Sequence, residues 1–100
     1  MKKYKYARLY YSGYPASILG FSCTDPELAE EVISELRKML PQAKLSTGKN
    51  SVTLEKANDK GVEAHWWLIM HLCQNGWKPF SAGASGTYGQ EEHFRFEYEE

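Results

Sequence analysis

The passage from Ala64 to Phe80, AHWWLIMHLCQNGWKPF, constrains the fold more than any other part of the chain. A helix in a domain of 100 residues can hide one face, yet this one is apolar on nearly every side. Either it is sandwiched centrally, or its outer face waits for a partner. Wound at about 100° per residue, Val62, Trp66, Ile69 and Cys73 share one narrow stripe, flanked by His65, Met70 and Leu72. That stripe is predicted to face a sheet. Ala64, Trp67, Leu68 and His71 then fall on the opposite side, with Trp67 one turn from His71. An outward Trp and Leu require a cover, either from the preceding loop or the 81–90 segment, or from another molecule.

The remaining pattern supplies the elements around it. Residues 4–11 alternate as a strand with Ala7, Leu9 and Tyr11 inward and Tyr6, Arg8 and Tyr10 outward, since Arg8 is the costliest to bury. Ser12-Gly13-Tyr14-Pro15 reads as a turn, and residues 17–22 as a second strand. Thr24-Asp25-Pro26-Glu27 announces a helix: Thr24 or Asp25 caps it, Pro26 suits its first turn, and Glu27 completes a capping box with Thr24. Leu28, Ala29, Val32, Ile33, Leu36 and Leu40 follow at helical spacing, and Pro41 closes the segment. Strands are predicted at 43–46 and 51–56. The second helix, capped by Asn58 or Asp59, spans about 61–74 and stops at a left-handed Gly76. A strand at 77–82 follows, in which Pro79 argues for an edge or a strand start, then a loose Gly/Ser loop over 83–89. Residues 93–98 alternate with Phe94, Phe96 and Tyr98 inward. The order predicts a single α+β domain over 1–100, one mostly antiparallel sheet of four to six strands with two helices on one face.

The motif Leu72-Cys-Gln-Asn-Gly76-Trp77, a helix end running into a strand, resembles a signature of several small uncharacterised α+β domains. It implies no activity.

Net charge is −1, so no overall field draws the chain to nucleic acid or an anionic membrane. The charge is polarised: Lys2, Lys3, Lys5 and Arg8 crowd the start, and Glu91, Glu92, Glu97, Glu99 and Glu100 the end. Terminal strands lying side by side would pair these charges. No run is long enough to span a membrane, and two cysteines without a secretory signal favour buried thiols in the cytoplasm.

Chemical signatures are sparse. His65, His71 and Cys73 diverge around the helix and His93 is remote, so no metal is expected. Cys23 precedes a helix N-terminus, which can depress a thiol pKa, but has no basic neighbour in sequence. Gly83, Gly86 and Gly89 recur, but a strand follows where a phosphate cradle needs a helix. Tyr6 and Tyr10 as platforms with Lys3, Lys5 and Arg8 on phosphates would suit single-stranded nucleic acid, a reading weakened by the acidic final strand.

The leading expectation is a non-enzymatic protein–protein interaction module without cofactor. Its contacts are Trp67, Leu68 and His71 on the second helix and Tyr88 in the 83–89 loop, and its partner is another protein or a second copy of the chain. The alternative is a small-molecule or enzymatic pocket near that loop, walled by Tyr88, His93 and Trp77.

Overall fold

A strand whose every second side chain is apolar can bury one face only, and the first strand of this chain sets the plan for the rest. The elements run β1 (Lys2–Ser12), β2 (Ile18–Cys23), α1 (Pro26–Met39), β3 (Lys44–Gly48), β4 (Ser51–Glu55), α2 (Lys60–Gln74), β5 (Lys78–Ser85) and β6 (Gly89–Glu99). The computed structural model describes residues 1–14, 17–57, 60–86 and 88–99. The expected caps Asn58 and Asp59 lie outside these residues.

The six strands form one open sheet in the order β3-β4-β2-β1-β6-β5, antiparallel throughout. β1 is central because it is long and pairs on both sides. Ala7, Leu9 and Tyr11 lie opposite Cys23, Phe21 and Leu19 on one flank and Phe94, Glu92 and Gln90 on the other. The inward set predicted for β1 is therefore the buried set, with Ala7 and Leu9 fully inaccessible and Tyr11 packed against the core. Register carries Phe96 and Tyr98 to the same face, opposite Lys5 and Lys3. Both helices cover that face, and among the described residues no element covers the other, bare face of the sheet.

Asp25 caps α1, accepting hydrogen bonds from the amides of Glu27 and Leu28, and Pro26 opens the helix. Thr24 is occupied elsewhere: its hydroxyl accepts from the Tyr6 amide on β1. Glu27 thus sits one position too early to complete the predicted capping box. α1 buries Leu28, Ala29, Val32 and Leu36. After α2, Gly76 takes φ +90° and the Trp77 amide donates back to the Leu72 carbonyl, a left-handed stop as predicted. The terminal strands are joined as their charges suggested, with ion pairs from Met1 to Glu99, Lys2 to Glu97 and Arg8 to Glu91.

The predicted loop over 83–89 is largely strand. β5 continues to Ser85, Gly86 takes φ +72°, and β6 begins at Gly89 in register with Ser85. Small, alternating Ser, Ala and Gly side chains read as a linker, but a paired neighbour supplies the ladder that holds them extended. The bond register of β5 shifts between Pro79 and Ser81, so β5 starts with an irregularity at the proline.

Candidate functional site

On α2 the inward residues are Gly61, Ala64, His65, Leu68 and Leu72. This corrects the predicted phase. Leu68 is fully buried and cannot be an outward contact, whereas Trp66, predicted inward, is 59% exposed and Met70 57%. The cause is steric. Gly61 and Ala64 let the helix approach the sheet, where a Cβ on Gly61 would meet Ser17 Oγ at 2.6 Å, and bulky indoles cannot occupy that contact. An all-round apolar helix gives hydrophobicity no power to choose a face; side-chain size chooses it.

Trp67 and His71 sit on the flank that faces α1. Their rings stack at 4.8 Å, and His71 Nε2 lies 2.8 Å from Glu31 Oε1, close enough for an ion pair but outside hydrogen-bond geometry. Trp67 is half-buried against the core. The predicted trio is therefore split: Leu68 lies inside, and Trp67 and His71 lie between the helices. Tyr88 sits at the β5–β6 turn, 58% exposed and edge-on to Tyr14 at 4.7 Å. The outward flank of α2 is instead Trp66 with Met70, one turn apart.

The predicted pocket walls do not converge. Trp77 is buried against Phe96 on the helix side, His93 lies on the bare face, and Tyr88 is at the turn. His93 has other partners. Tyr6 Oη is hydrogen-bonded to His93 Nδ1, and His93 Nε2 meets the Glu91 carboxylate Oε2 at 3.3 Å. Glu91 also accepts from Ser85 Oγ and faces the Arg8 guanidinium at 2.9 Å. Desolvation acts to raise its carboxyl, but Arg8, Ser85 and His93 outweigh it and hold the group below its usual range. Phe80 packs near Tyr6 and His93, and Arg95 stacks over the Tyr4 and Phe80 rings.

This phenol–imidazole–carboxylate chain escaped sequence reasoning. Its signal was present in the outward residues of β1 and the odd residues of β6, but the register that joins Tyr6 to Arg95 and Arg8 to His93 is a tertiary fact. The nucleic-acid set divides as well. Tyr6, Arg8 and Tyr10 share the bare face, while Lys5 is on the helix side, bound to Asp25 at 3.1 Å. Arg8 is already neutralised by Glu91.

Cys23 is buried and Cys73 exposed, both as free thiols. Burial pushes the Cys23 thiol up, opposed in part by its hydrogen bond to the Asp25 carbonyl, so the helix N-terminus does not activate it. Among the described residues, no three His, Cys, Asp or Glu side chains gather to hold an ion, and no helix is long and apolar enough to cross a membrane.

No protein-family model matches the chain, and no curated protein matches it. Among solved structures, the crystal structure of a conserved kinetoplastid-specific protein from Trypanosoma cruzi is similar. It superposes with a TM-score of 0.58 over 96% of this chain and 98% of that one, at 16% identity. At that identity the likeness speaks for the fold alone: a six-stranded antiparallel sheet with two helices, carrying no activity across.

Proposed function

We propose that this chain is a non-enzymatic protein-recognition module that docks a protein partner on the outward flank of α2. One observation carries the reading: Trp66 and Met70, 59% and 57% exposed, stand one turn apart on the same helix with no described element over them. Trp is the side chain most concentrated at binding hot spots, and Met adapts to an irregular partner surface. Free thiols at Cys23 and Cys73 suit a cytoplasmic setting. The test is a photoreactive residue placed at 66 and activated in cells that express the protein. The reading expects a defined protein adduct from position 66 that is lost on Met70→Ala, and none from a control at Glu30 on α1. Equal labelling from both positions, or no adduct, would sink it.

A second reading, a small-molecule site on the bare sheet face, is favoured by the Tyr6–His93–Glu91 chain with Phe80 and Arg95 beside it. A fragment screen read by chemical-shift changes would centre on Tyr6, Phe80 and His93 if that site binds. Shifts scattered over the surface would count against it.

A further inference from the structure

We infer that this chain also pairs with a second copy of itself, antiparallel through β5, so that the two sheets become one. The inference goes beyond the protein-recognition reading above, since the sheet edge is a surface separate from the Trp66–Met70 flank. β5 is an edge strand of 8 residues, exposed from Lys78 through Ala84. Natural edges are guarded by charge, proline, bulges or brevity. Here those guards are confined to Lys78, Pro79 and the register shift beside them, and the run from Phe80 to Ser85 carries neither charge nor proline. The opposite edge, β3, is shorter at 5 residues.

The helix side of β5 is also unfinished. α2 starts beside Ser17, at the entry to β2, and ends at the turn into β5, so it crosses the sheet obliquely. Ala82 and Ala84, which lie opposite Glu92 and Gln90 on the helix side, are left bare. Trp67 and Ile69 lie on either side of inward Leu68. Since the Trp67 flank faces α1, the Ile69 flank, with Cys73, faces the β5 side. A two-fold axis through β5 brings the start of one β5, with the end of its α2, alongside the bare second half of the other. The offset is one strand spacing, about 4.8 Å. Ile69 and Cys73 of each copy then cover Ala82 and Ala84 of the other.

Charge leans the same way. Lys78 and Arg95 lie opposite one another at one end of the β5–β6 ladder, offset in part by Glu97, and Glu91 and Glu92, offset in part by Arg8, lie opposite Gly83 and Ala82 toward the other. Antiparallel self-pairing sets the basic end of each copy against the acidic end of its mate, whereas parallel pairing would set like against like. The patch, β5 plus one flank of α2, is smaller than the roughly 20–30 residues a side of a standard interface, so the dimer is reversible, with a Kd on the order of micromolar.

Sedimentation velocity from about 1 µM to about 1 mM, bracketing that affinity, tests this on the full chain. Wild type is expected to double its mass with concentration. Ala84→Lys, which puts an ammonium on an exposed position of the monomer but a buried one of the dimer, should weaken association by about tenfold or more. Its melting at low concentration should match wild type. A wild type that stays monomeric, or a dimer indifferent to Ala84→Lys, overturns the inference. Should that variant fail to fold, amide exchange of wild type decides: β5 amides must slow with concentration while β3 amides do not. A monomeric wild type with a cellular adduct from position 66 would reject the dimer and keep the recognition module; no adduct and no dimer would reject both.

Discussion

Asp25 serves two elements at once. It caps α1 through two amides and holds Lys5 from β1, so one carboxylate ties the first strand to the first helix. Desolvation acts to raise its pKa, but the Lys5 hydrogen bond and the Leu28 and Glu27 amides outweigh it and lower the value. A depressed carboxylate contributes stability that is present above its unfolded value, about 3.9, and is lost as pH falls through the folded one. Asp25→Ala is expected to cost about 1 kcal/mol, a fall of roughly 4–8 °C in Tm at neutral pH. The gap between wild type and variant should close progressively below about pH 4, as followed by thermal melts across pH. A gap that persists unchanged at pH 2 would show that the effect is not carried by this charge.

Within α2, the division of labour between neighbours is sharp. Leu68 is fully buried beneath the helix, while Trp66, two residues earlier, is the most exposed indole of the chain. Leu68→Ala is expected to cost about 2–5 kcal/mol in denaturant unfolding, the usual loss for a buried leucine. Trp66→Ala should move the midpoint by no more than about 0.5 kcal/mol, as surface substitutions do, when measured at a concentration where the chain is monomeric. Reversed magnitudes would restore the stripe predicted from helical periodicity. The same element shows why that stripe misled: with Trp, Ile, Leu and Met distributed around the axis, apolarity is nearly isotropic. Only Gly61 and Ala64, through their small size, mark the side that meets the sheet.

Taken whole, the molecule is a layered one: two helices on one face of an open sheet, and a bare face where rings and paired charges meet solvent. The ion pairs joining β1 to β6 are largely exposed and each contributes little, so strand order is held by the β1 ladder and by Ala7, Leu9, Phe21 and Phe94 beneath it. Hydrogen exchange at low concentration should rank the strands accordingly. β1 amides, bonded on both sides, are expected to exchange slowest, and those of β3 and β5 fastest, because edge strands open locally at a fraction of the global free energy. Protection of β5 equal to that of β1 at high dilution would contradict this ordering.

Element types and order were legible because they depend on local chemistry: alternation in β1 and β6, the Asp25-Pro26 start of α1, and the Gly76 stop of α2 act within a few residues. The pairing of the terminal strands was legible too, since opposite charges at the two ends had an obvious place to meet. The rotation of α2 and the partners of His93 were not. Each depends on which surfaces come within a few ångströms across long sequence separations, and packing volume and strand register settle that after the chain has closed on itself. For the same reason, residues 83–85 read as a loop in isolation and become a strand only with β6 alongside to complete their hydrogen bonds.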